Sequence, residues 1–181
     1  MMYNSMNLTP DPATAATLLN GTIEQILSAR TYTLGLLEET PKDRWFEIPD
    51  GLPCNIAWQI GHLAVSQYGL LMFRIRGRRP DDLDLVPGRF RKTYSRQTTP
   101  TDNPSNQPSS DELIARLTRI HETALSELRQ LEPDILLEEV DHPWTAWPVK
   151  LGAIMFCPLH EQIHAGQIGL IRRGLGLDPV R

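Results

Sequence analysis

The sequence is short of cysteine, with only Cys54 and Cys157 among its 181 residues. Two are too few for a disulfide framework and fit a reducing compartment. It also lacks an excess of positive charge. The formal net charge is −4, and no basic cluster carries the aromatic interleaving that single-strand binding needs, so nucleic acid is not an expected partner. Long apolar runs are missing as well. None approaches the ~20 residues required to cross a bilayer, and MMYNSMNLTPDP lacks the basic start and apolar run of a signal peptide. The expectation is a soluble, cytoplasmic protein with no membrane partner. What is present is 40% hydrophobic residues, enough for residues 1–181 to form one domain around a core without staples.

Strand signal is scarce, and helical periodicity dominates. From about Asp11 to Glu39, Leu19, Ile23, Ile26, Leu27, Leu34 and Leu37 share one face, with Asp11 as cap and Pro12 at the first helical position. Arg30 falls in the middle of that face, where it snorkels, pairs with a buried carboxylate, or points into a cavity. Asn55 caps a second helix to about Arg76, in which His62 interrupts an apolar row of Trp58, Val65, Gly69, Met72 and Phe73. The segment Gly77 to Ser109 holds five prolines and no sustained pattern, which predicts a long surface crossover. Ser109 and Glu112 form a capping box before the third helix, with Leu113, Leu117, Ile120, Ala124, Leu128 and Leu131 inward. The irregular stretch DILLEEVDHPWTAWPVK reads as a short hairpin or structured loop. A fourth helix from about Leu151 to Arg173 contains Pro158, which predicts a kink just before His160. The fold class is all-α: a four-helix bundle with a long crossover between its second and third helices.

The last helix spells H-E-x-x-H with His160, Glu161 and His164. Four residues apart, both imidazoles reach one point. A catalytic divalent site needs a third protein ligand and an open position. The downstream ligand of a zinc peptidase is missing, since beyond Leu170 the only acidic residue is Asp178. His62, embedded in an inward stripe of a facing helix, is the best third candidate. His121 reads as a core or boundary histidine or else a fourth ligand, and His142 as a surface histidine. Cys157 is a further ligand or a plain buried side chain. Glu161 is a general base beside a metal or a solvated or interface carboxylate. Arg30 and Tyr32 could line a pocket for an anionic thiol.

NIAWQIGHLAVSQ around His62, followed by LHEQIHAGQIGLIRRGLG, resembles the DinB-like (YfiT-type) superfamily of metal-binding four-helix proteins. The shared marks are Trp58 and His62, then His160, His164, Gly166, Gln167, Arg172 and Arg173. The resemblance implies that His62, His160 and His164 face one divalent metal (zinc, nickel, iron or manganese), with water or substrate on the open side. Glu161 then belongs to a coincidental H-E-x-x-H. It also implies a homodimer and a metal-dependent transferase, isomerase or hydrolase that uses a low-molecular-weight thiol or water on a small molecule. A non-catalytic metal-binding or dimerisation bundle of stress-response type, and an H-E-x-x-H zinc peptidase, are the alternatives.

Overall fold

The computed structural model describes residues 9–140 and 147–180, and among them the chain is helical with no extended strand. Helix α1 spans Pro12–Glu38, where Asp11 accepts the Thr14 amide at 2.9 Å and closes the first turn. Helix α2 spans Ile56–Tyr68 under an Asn55 cap that accepts the Trp58 amide at 2.9 Å. The second helix is therefore not one regular rod to Arg76. It passes through a π turn at Gly69–Phe73 and a last turn at Arg74–Arg76, then stops at Gly77, whose φ of 77° suits glycine.

The crossover departs from the expectation of a patternless surface segment. It contains α3 at Asp82–Leu85 and α4 at Gly88–Tyr94, both shorter than a detectable helical period. Asp82 is buried, accepting from Arg76 at 2.8 Å and from the Tyr68 hydroxyl at 2.9 Å. The Arg76 guanidinium holds the Asp82 carboxyl down at about 2. Phe90 and Tyr94 are buried, so α4 packs into the protein instead of lying on it.

Helix α5 covers Ser110–Leu128 behind the full Ser109/Glu112 capping box. A 3₁₀ turn at Pro133–Leu137 follows. Glu139 and Val149 then pair as an isolated antiparallel bridge around residues that lie outside those described, His142 among them. Helix α6 runs Lys150–Gly174 as one element through Pro158, where the proline removes the N–H that Ile154 would otherwise receive. Helix α1 packs on α6, α2 on α5, and α2 on α6.

One side chain touches all four long helices. Arg30 of α1 donates from Nε to Glu161 of α6 at 2.8 Å, from Nη2 to Gln67 of α2 at 2.9 Å, and from Nη1 to the Leu117 carbonyl of α5 at 3.3 Å. Of the three readings open for Arg30, the buried pair is the one realised. Glu161 is 2% exposed, which overturns the solvated reading of that carboxylate. Gln67 Oε1 accepts from Arg30, so its Nε2 donates to His121 Nδ1 at 3.1 Å, and His121 carries its own proton on Nε2. Burial, then the Arg30 charge, pushes His121 down to about 4.

Breaking this pair strands a buried charge. Arg30→Met is expected to cost about 3–5 kcal/mol in denaturant unfolding, and Arg30→Met with Glu161→Leu to recover most of it. His121 sets a pH dependence of definite sign. The unfolded chain takes up a proton near pH 6.5 that the folded chain refuses down to about 4. Stability should thus fall with acidification across that window, by up to about 1.4 kcal/mol per pH unit. His121→Gln, which keeps an acceptor for Gln67, is expected to flatten the slope of chelator-treated protein by that amount.

Candidate metal centre

The π turn and crossover matter because of what precedes them on α2. His62 points between α6 and the crossover and meets His160 and His164, which lie one turn apart on α6. Ring centroids are 5.5 Å apart for His62 and His160, 4.8 Å for His62 and His164, and 4.5 Å for His160 and His164. One nitrogen from each lies within 4.8 Å of the others. His62 and His164 are buried and His160 half-buried, so the cluster has an inner side and an open side.

Hydrogen bonds decide which nitrogens converge. His62 Nδ1 donates to the Tyr94 carbonyl at 2.9 Å, leaving its Nε2 lone pair toward the cluster. His164 Nδ1 donates to Gln59 Oε1 at 2.5 Å, and its Nε2 lies 3.3 Å from His160 Nε2. In this arrangement Gln59 Nε2 donates to Cys54 Sγ at 3.2 Å. Trp58 stacks flat on His62 at 4.7 Å and 6°, anchored by its Nε1 on the Thr98 hydroxyl at 2.9 Å. Two of the three rings thus have their Nδ1 on carbonyl-type acceptors, the arrangement seen behind metal-binding imidazoles. The 3.3 Å between the α6 nitrogens matches the edge of a tetrahedron with metal–nitrogen bonds of roughly 2.0–2.1 Å.

The electrostatics favour neutral donors. Burial lowers His62, assisted by the Arg96 charge and opposed by the Tyr94 bond. Burial pushes His164 down to about 3, with His160 and His62 adding to it. Both shifts favour the unprotonated ring, the form in which an imidazole can bind a metal.

The other candidates stand apart. His121 belongs to the Arg30 network, Cys157 is buried with its thiol pushed up by burial, and Tyr32 is an exposed residue of α1. Glu161 turns both carboxylate oxygens to Arg30, at 2.8 and 3.3 Å, so it is engaged away from the three histidines and offers no free base beside them. The residue that sequence reading missed is Gly61. A Cβ there would lie 2.3 Å from the Tyr94 ring, so only glycine lets α4 close on α2 and bring the Tyr94 carbonyl to His62. A glycine directly before the candidate ligand was the available signal.

A cavity of about 840 Å³ opens on the half-buried side, with His62, Ser66 and His160 in its wall. Ser66 Oγ lies 3.2 Å from His62 Nε2. A family model described as the DinB superfamily matches residues 25–168, which include all three histidines, Gln59, Arg30 and the crossover. No curated protein matches the chain.

Gly61→Ala should displace Tyr94 and free the His62 ring. The expected result is a ~10–100-fold loss of metal affinity in chelator competition with helix content unchanged, as for other changes behind a ligand.

Proposed function

The chain belongs to the DinB superfamily, and from that premise we propose a divalent-metal-binding four-helix bundle in which His62, His160 and His164 hold one ion. The cavity beside them then receives a small molecule. The observation that carries this reading is the convergence of three imidazoles, two of them with Nδ1 committed to a carbonyl-type oxygen. Three neutral ligands leave a divalent ion its full charge, which lowers the pKa of a thiol or water brought to it. The donor set suits zinc, nickel, iron or manganese.

The chain's own groups fit a metal-dependent transferase or hydrolase that uses a thiol or water. His62 and His164 are held neutral and oriented. Ser66 places a hydroxyl at the mouth of the cluster, able to donate or accept a hydrogen bond toward a reacting group. Phe156 and Val65 make the wall beside the histidines apolar, and Trp58 packs flat on the His62 ring. Among the described residues no carboxylate lines the cavity, which favours a nucleophile activated by the ion over side-chain general-base catalysis. The same absence is what a non-catalytic binding bundle would show, and turnover in a thiol-transfer screen separates the two. Leu159, Ile163 and Leu170 form an exposed apolar row on α6, on which the homodimer expected of the family would bury surface.

Elemental analysis of protein purified without an affinity tag tests the site. About one equivalent of metal is expected in the parent chain and none in His62→Ala or His160→Ala, whereas His121→Gln retains it. Full retention in His62→Ala would overturn the assignment. Adding back metal should raise the melting temperature of the parent only, because a ligand of the native state stabilises it by mass action.

A further inference from the structure

The cavity over the histidines has a charge character unlike the rest of the chain. Acidic residues outnumber basic ones by 22 to 18, yet Arg74, Arg78, Arg91 and Arg96 line this one cavity with no aspartate or glutamate among the described residues of its wall. They arrive from separate places, Arg74 in the last turn of α2, Arg78 just after it, Arg91 on α4 and Arg96 behind α4. The convergence is thus a product of the fold and not of a basic run in sequence. Arginine, unlike lysine, offers a planar fork that matches carboxylate and phosphate oxygens.

The remaining wall is apolar. Phe73 is 49% exposed, an unusual exposure for a side chain of its size, and it faces this cavity together with Phe156 and Ile163. The volume of about 840 Å³ lies within the range of small-molecule sites.

We infer that this cavity binds a small organic anion with an apolar body, its charged end on the arginines and its apolar part against Phe73 and Phe156. The inference deepens the metal-centre reading and rests on it only for where the reacting end of that molecule sits. A carboxylate and a phosphate ester share the recognising chemistry, and the two are told apart by titration.

The test uses the full zinc-loaded chain and three probes that share a phenylethyl body: 3-phenylpropionate, 2-phenylethyl phosphate and the neutral 3-phenylpropanamide. Calorimetric titration is expected to show at least one anion binding about tenfold or more tighter than the amide, weakening as salt rises. The tighter anion identifies the charged end. Arg78 and Arg91 are exposed, so the double variant Arg78→Gln/Arg91→Gln should fold as the parent does. It should lose about tenfold in anion affinity while amide affinity stays unchanged, and Arg119→Gln, outside this cavity, should change neither. Equal binding of amide and anions, parent-like anion binding by the double variant, or no binding by any probe would overturn the inference. Repeating the titration after chelation separates the two readings. Anion preference that survives in a chain unable to take up metal sinks the metal centre alone, whereas stoichiometric metal with no anion preference sinks this inference alone.

Discussion

The guanidinium of Arg30, carried on α1, is hydrogen-bonded to α2, α5 and α6. Taking an arginine and a glutamate out of water costs several kcal/mol per ion, and the attraction repays this only when nearly every donor finds an acceptor. That requirement constrains the assembly. Glu161 must face Arg30, and Glu161 is the residue after His160 on the same helix. With ~100° between successive residues, holding Glu161 on the Arg30 side turns His160 and His164 toward α2. The rotation of the helix that carries His160 and His164 is therefore fixed by an ion pair that takes no part in the histidine cluster.

A similar economy runs along α2. His62 lies between two buried glutamines, each with its amide pinned at both ends. Gln67 spans Arg30 and His121, and Gln59 spans His164 and Cys54. An amide held at oxygen and nitrogen cannot flip without leaving a buried polar group unsatisfied. Arg30, which can only donate, thus fixes the Gln67 amide and the His121 tautomer, and Gln59 holds the His164 ring so that its Nε2 faces inward. A histidine protonated on the wrong nitrogen would present N–H where a lone pair is needed.

Local signals in the sequence carried most of this fold. The Asp11, Asn55 and Ser109 caps, the apolar periodicity of the long helices and the H-x-x-x-H spacing all act within a turn or two of helix, and the structure has each of them where its residues stand. The misses share a physical character. Arg30 and Glu161 are far apart in sequence, so periodicity could place each on a face but not join them. Helices α3 and α4, of 4 and 7 residues, cover too few turns to display a 3.6-residue repeat. The π turn at Gly69–Phe73 shifts register without a distinctive residue. Glu161, read as part of a coincidental H-E-x-x-H and as a possible interface carboxylate, does face a neighbouring helix, but its partner there was not legible from the sequence.

The crossover between α2 and α5 has one further meaning, for how such a scaffold diversifies. The three histidines stand on α2 and α6, whereas Tyr94, Arg91 and Arg96 belong to the crossover. Insertions and substitutions are tolerated best in connecting segments, so the wall of the cavity can be rewritten while the helices that carry the histidines stay as they are. The limit on such drift is the meeting of Gly61 with Tyr94. A descendant free to alter the rest of the crossover must keep a carbonyl at that point, or trade the orientation of His62 for its new specificity.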